Sequence, residues 1–208
     1  TKDWSSSEAL KKEFESLGFY MSNHPLQEYK DILETYNVKD FKMFINQNNN
    51  EANLAGVIMK IKEKKTSKGN AFAIIKFSDL SGTFELFVFS ETLEANREKL
   101  LEGKAFLITV IKNKQDEENR FKRITVRKIF SMTEIEQKNY KNVCIELEKS
   151  ENFKKISSVI KESGGAKIKI LIKDKKKNYS FELKGKRRFD YNTFKTLKKE
   201  PFVRKITI

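Results

Sequence analysis

The chain has 208 residues, of which 38% are hydrophobic and 35% charged, with 17 Phe and a formal net charge of +14. Its length and apolar content suit one to three packed cores and argue against disorder, and no apolar run approaches the ~18 residues of a membrane span. The single cysteine, Cys144, provides no internal disulfide and fits a reducing cytoplasm, and with the single histidine, His24, it falls short of a Cys/His zinc set.

The first 36 residues read as two helices. Ser5 and Glu8 have capping-box spacing, and Leu10, Phe14, Leu17 and Met21 follow at helical intervals until Gly18 weakens the pattern. Pro25 suits the first turn of a second helix, with Leu26, Tyr29, Leu33 and Tyr36 on its apolar face. Residues 37–51, with the run Asn46-Gln47-Asn48-Asn49-Asn50, read as a loop or linker that closes a lead-in of residues 1–50.

Strand alternation then takes over. The pattern predicts a long strand over 53–65 with Val57, Met59 and Ile61 on one face, a hairpin turn at Ser67-Lys68-Gly69-Asn70, and a second strand over 71–79 with Ala73, Ile75 and Phe77 inward. A third strand over 83–89 points Phe84, Leu86 and Val88 inward. A helix capped by Ser90 runs through about Leu100 and is ended by Gly103, and strands over 104–114 and 121–130 complete the set. Three meandering strands, a helix and two more strands within 51–135 is the order of a five-stranded OB-fold barrel.

Residues 140–208 give β-α-β-β-α-β, read as a small ferredoxin-like domain. Its strands centre on Val143 to Leu147, Ile168 to Ile172, Tyr179 to Leu183 and Phe202 to Ile208. One helix carries Phe153, Ile156, Val159 and Ile160 and stops at Gly164-Gly165, and the other spans about 191–199 ahead of Pro201.

Catalytic chemistry has little to stand on. His24, in Ser22-Asn23-His24-Pro25, reads as a turn residue, and Cys144 as a small buried hydrophobe. Asp79 before Ser81-Gly82 has turn chemistry, and Asp116, Glu117 and Glu118 have no acidic partner at metal-site spacing. No P-loop glycine pattern is present.

Binding is better supported. Lys60, Lys62, Lys64, Lys65, Lys68 and Lys76 face only Glu63 within one hairpin, giving +5 over residues 60–76. Phe72 and Lys76 fall on the face opposite the core residues, where an OB-fold receives single strands. Lys112, Lys114, Arg120, Lys122 and Arg123 on the last two strands extend the set. Phe87 shares the outward parity but is read as packing under neighbouring helices. Residues 136–208 hold 21 basic against 9 acidic side chains, so most of the excess charge lies elsewhere. With 36 Lys, 7 Arg and 16 Asn, AT-rich coding accounts for much of it, and the turns at Lys173 to Lys177 and Lys184 to Arg188 point only weakly to a polyanion or acidic protein.

The stretch Leu17-Gly18-Phe19-Tyr20-Met21-Ser22-Asn23-His24-Pro25-Leu26, preceded by Trp4-Ser5 and followed by Ala55-Gly56-Val57 and Asp79-Leu80-Ser81-Gly82 through Val88-Phe89, resembles the bacterial replicative DNA polymerase III alpha subunit family. Asn23 stands where that family carries Gly, a change that should leave the turn intact because Asn tolerates left-handed conformations. The resemblance covers roughly residues 4–131. It implies a C-terminal portion of a DNA-directed DNA polymerase, in agreement with Thr1 in place of an initiator Met, and no active site or cofactor in this chain, Mg being expected only at a polymerase site outside it. It further implies an OB domain near single-stranded template, docking of the clamp-loader tau subunit on 140–208, a sliding-clamp motif upstream, and a cytoplasmic setting without membrane contact. The rival readings are an anticodon-type OB module of a tRNA synthetase and a pure protein-interaction module.

Overall fold

The computed structural model describes residues 6–112, 124–160, 162–173 and 177–208. The chain divides into two compact units, Thr1–Met132 and Thr133–Ile208. The proposed cap at Ser5 lies outside the described residues.

The first unit begins with α1, Ser6–Leu17. Gly18, at φ +75, ends it by donating its amide to Phe14 O at 2.8 Å, a left-handed stop that glycine enters without steric cost. Leu10 and Phe14 are covered, whereas Leu17 and Met21 remain 47% and 73% exposed, so the helical stripe is buried only in its first half. A 3-10 turn at Pro25–Tyr29 leads into α2, Lys30–Thr35, and together they bury Leu26, Ile32 and Leu33.

The segment expected as a linker holds a helix, α3, Phe41–Asn46. Phe44 is fully buried in the barrel core, and Phe41 stacks on Phe84 with centroids 4.4 Å apart. An isolated six-residue helix is unstable in water, so tertiary contacts must hold this one. Its first amide, Phe41 N–H, donates to Asp79 Oδ2 at 2.8 Å, and its last turn is met by a lysine described below. Polar composition hid the helix because two aromatic anchors suffice when the barrel supplies the partners.

The barrel strands are β1 Glu51–Lys65, β2 Ala71–Asp79, β3 Gly82–Phe89, β4 Ala105–Lys112 and β5 Ile124–Ser131, with α4, Ser90–Asn96, between β3 and β4. They close in the order β1-β2-β3-β5-β4, with β3 and β5 parallel and the other pairs antiparallel. This is the five-stranded OB-fold barrel. Leu54, Ile58, Ala73, Ile75, Phe77, Leu86, Val88, Phe106, Ile108 and Val110 fill its interior.

The expected face of β1 needs correction. The register shifts between Ile58 and Lys60, so a bulge at Met59 changes the parity. Leu54 and Ile58 point inward before the bulge and Ile61 after it, while Val57 pairs with Ser78 on the outer side. Gly56 lies against the Phe77 ring, where an added Cβ would come within 2.9 Å of Phe77 Cβ.

A short helix, α5 Met132–Gln137, precedes the second sheet. That unit contains β6 Asn142–Leu147, α6 Phe153–Val159, β7 Glu162–Lys173, β8 Asn178–Glu182, α7 Tyr191–Lys198 and β9 Val203–Thr207. The element order is the expected β-α-β-β-α-β, but the sheet runs β8-β7-β6-β9, with β6 and β7 adjacent and parallel. The ferredoxin-like arrangement splits that first βαβ unit with another strand, so this is a small α/β domain with a different strand order. Gly164-Gly165 belongs to β7 and does not end α6, whose last turn closes at Ile160. Gly164 has its own constraint: a Cβ there would meet Arg188 N at 2.3 Å. Val143, Ile145, Leu147, Ile168, Ile170, Ile172 and Ile206 form one buried face, with Ile156, Phe194 and Leu197 from the helices buried in the same unit.

Candidate nucleic-acid interface

The registers of β1, β2 and β3 place the proposed side chains in rows across the outer face of the barrel. Lys64 pairs with Phe72, which pairs with Phe89. Lys62 pairs with Ile74, which pairs with Phe87, and Lys60 pairs with Lys76, which pairs with Glu85. Directly opposed residues lie about 5 Å apart and diagonal neighbours ~7–8 Å, so these rows form one continuous surface. Phe72 and Phe87 are diagonal partners, with ring centroids 6.4 Å apart and planes at 25°. The four lysines are exposed, and Phe72, Phe87 and Phe89 are half-buried, leaving ring surface in reach of a ligand. Phe87 lies on the same face as Phe72, half-buried and paired with its ring. Parity alone was the signal for Phe87 and Phe89, since both alternate with the core residues Leu86 and Val88.

Glu63 points away from this surface. Its carboxylate takes two hydrogen bonds from Arg97, both at 3.2 Å, so the acidic residue inside the basic hairpin is neutralised on the opposite side. The hairpin tip is tied by Gly69 N–H to Thr66 O at 2.9 Å and Asn70 N–H to Thr66 Oγ1 at 3.2 Å, and it leaves Lys65 and Lys68 exposed.

Lys112 does not belong to the interface. It is 6% exposed, and its ammonium donates to Phe44 O, to Ile45 O at 3.2 Å and to Gln47 O at 2.6 Å while lying 4.3 Å from the Phe44 ring centroid. The charge satisfies the carbonyls at the C-terminal end of α3, where a cation also complements the helix dipole. Strand parity could have revealed this, because Phe106, Ile108 and Val110 all point inward and Lys112 is the next member of that series. Lys114, Arg120, Lys122 and Arg123 lie outside the described residues.

The other end of the same outer face is covered. His24 Nδ1 accepts from Leu26 N–H at 3.2 Å, which leaves the proton on Nε2 to bond Ser78 Oγ at 3.2 Å. Burial pushes the His24 pKa below its ordinary value, partly opposed by the Asp79 charge and by a hydrogen bond that the ring donates to the Ser78 backbone. Lys39 N–H donates to Asn53 O at 2.8 Å and Asn53 Nδ2 to Tyr36 O at 3.0 Å, so the lead-in is sewn to β1. Asn23 does not use the left-handed conformation expected of it; its Oδ1 accepts the His24 N–H at 2.8 Å instead. Asp79 is a turn-maker: its Oδ1 accepts from Ser81 N, Ser81 Oγ and Gly82 N at 2.7, 2.7 and 3.0 Å. At this end Val57 and Ser78 are buried, whereas Lys60 and Lys76 at the other end are exposed.

Among the described residues no group of three or more His, Cys, Asp or Glu could hold a metal ion, and no helix is long and apolar enough to cross a membrane.

No family model matches the chain. Curated relatives do. The DNA polymerase III subunit alpha of Aquifex aeolicus is 31% identical over 156 residues, 73% of this chain. That of Rickettsia conorii is 37% identical over 99 residues, 46% of this chain, and that of Pasteurella multocida 28% identical over 155 residues, 74% of this chain. This chain is similar to a stretch of the DNA polymerase III alpha subunit. It spans only 8% to 13% of the length of these alpha subunits. Among solved structures, that of yeast Stn1 and Ten1 is similar over 39% of this chain and 42% of its own, at TM-score 0.31 and 19% identity, too distant to bear on function.

Proposed function

We propose that this chain is a C-terminal portion of a replicative DNA polymerase III alpha subunit whose barrel binds single-stranded template DNA. The observation that carries the reading is the row pattern of Lys60, Lys62, Lys64 and Lys76 around the Phe72–Phe87 pair on the uncovered end of the barrel's outer face. Ammonium groups neutralise phosphates while ring faces stack bases, and neither contact reads sequence, which is what a template-handling surface requires. Lys68 extends the track at the hairpin tip, and Lys65, which shares the strand parity of Glu63, adds charge from the other face of the hairpin; Lys114, Arg120 and Arg123 keep their proposed place in it. Polymerisation, and the Mg it uses, belong to the parent protein outside this chain.

In the same reading, residues 140–208 dock the clamp-loader tau subunit, a sliding-clamp motif lies upstream, and the assembly works in the cytoplasm as part of a replisome. Fluorescence-anisotropy titration with labelled single-stranded DNA, duplex DNA and tRNA at two salt concentrations tests the binding reading. Single strands should bind most tightly, with affinity falling as salt rises. Preference for tRNA would indicate an anticodon-type module, and no binding at low salt a protein-interaction module. A pull-down of tau by the chain truncated before residue 140 would refute the docking assignment.

A further inference from the structure

β8 is an outer strand of the second sheet, and all five of its residues are exposed. Its ladder to β7 uses the odd-numbered backbone groups. Leu183 N–H donates to Ile168 O at 2.9 Å, and in the same register Phe181 faces Ile170 and Tyr179 faces Ile172. Backbone direction alternates along a strand, so the N–H and C=O groups of Ser180 and Glu182 point to the open edge.

The side chains along that edge are unusual. Tyr179 and Phe181 lie on the same face as the buried Ile170 and Ile172, yet remain 42% and 46% exposed. Their rings lie 6.3 Å apart at 14°, with Phe153 6.1 Å from Phe181. Proteins ordinarily blunt an open edge with charge, proline, a bulge or a covering segment. This one instead offers a flat aromatic pair beside free backbone groups. Exposed lysines stand at both ends, Lys177 before the strand and Lys184 and Lys186 after it. The one acidic residue of β8, Glu182, pairs with Lys169 and projects to the opposite face.

We infer that β8 receives an extended acidic peptide of a partner protein as an added strand. Backbone groups of the peptide bond Ser180 and Glu182, alternate apolar side chains cover Tyr179 and Phe181, and carboxylates meet Lys177, Lys184 and Lys186. This rests on the docking reading of the second unit and names the element and the peptide chemistry that would serve it. A nucleic acid could use the rings, but its phosphate backbone offers no donors for the edge carbonyls, which an extended peptide supplies at the strand repeat.

The test uses the full chain, isotope-labelled, with a synthetic peptide of alternating glutamate and valine. An alternating lysine and valine peptide and an oligothymidine serve as comparisons. At a peptide concentration about ten times Kd, amide exchange at Ser180 and Glu182 should slow about tenfold. Ser180→Pro should abolish binding while sparing the fold, because its N–H faces away from β7 and edge strands accept proline there. Tyr179→Ser with Phe181→Ser should weaken binding by about tenfold or more and serves as an independent variant. Unprotected amides at saturating acidic peptide, full binding by both variants, or equal binding of the lysine peptide would overturn the inference. So would oligothymidine perturbing these amides when the acidic peptide does not. If the second unit captures a docking partner equally well with Ser180→Pro, the edge assignment falls and the docking reading stands.

Discussion

Replacing Lys112 with methionine separates structure from binding at a residue that sequence reasoning placed in the DNA interface. Methionine keeps most of the volume and removes the charge, so Phe44 O, Ile45 O and Gln47 O lose a common donor. Hydrogen bonds to a charged group contribute roughly 1.5–3 kcal/mol each. Some carbonyls will recover water and the three losses are not additive, so the net cost is about 3–5 kcal/mol. In a unit of this size that corresponds to roughly 10–20 °C in the melting temperature. Thermal denaturation followed by circular dichroism reads the shift, and anisotropy with a single-stranded oligonucleotide, taken well below the transition, reads affinity. The variant should melt early and bind normally. Unchanged melting with weakened binding would refute the account of Lys112 as an internal cap.

The remaining predictions concern the open face, the half-buried histidine and two glycines. Lys64→Glu with Lys68→Glu should weaken single-strand binding and reduce the slope of log affinity against log salt by at least about 1.4, the share of two neutralised phosphates, with little change in melting; an unchanged slope would move the site elsewhere. Because burial holds folded His24 neutral below its ordinary pKa, the unfolded chain binds more protons as pH falls. The stability from His24 is therefore full above about pH 6.5 and is lost as pH drops toward the folded value. Denaturant titrations between pH 7.5 and 5 should show a decline that His24→Gln flattens. Gly56→Ala should destabilise the barrel by about 1–3 kcal/mol, because the new methyl overlaps Phe77. Gly164→Ala should cost more in the second unit, because it collides with the backbone at Arg187 and Arg188, which cannot swing aside as a side chain can. Thermal denaturation of each variant against the parent chain reads the two losses.

Alternation of apolar residues was enough to place the barrel strands, because a closed sheet with a packed interior forces period two on every strand. The helix after β3 and the turn chemistry of Asp79 and His24 were legible for a similar reason: local hydrogen bonds demand those residue types at those positions. The lysines of the first hairpin could also be named, since charge density is a property of sequence. Other features depend on contacts that sequence spacing does not encode. A single bulge at Met59 redirected the start of β1, and α3 exists because Asp79 and Lys112, 38 and 71 residues from its first residue, satisfy its two ends.

The length and +14 charge bound the chain without locating its function. Composition and periodicity determined that there would be a barrel followed by a smaller α/β unit, and that one hairpin would be strongly basic. Only the tertiary structure decided which basic residues face solvent, since it turned Lys112 inward to a helix end and aligned Lys60, Lys62 and Lys64 beside Phe72 and Phe87. It also decided the order of the second sheet and left Tyr179 and Phe181 on an open edge. The physical reason is common to both: hydrophobic period fixes which face of a strand is buried, while neighbours, register and edges follow from long-range pairing.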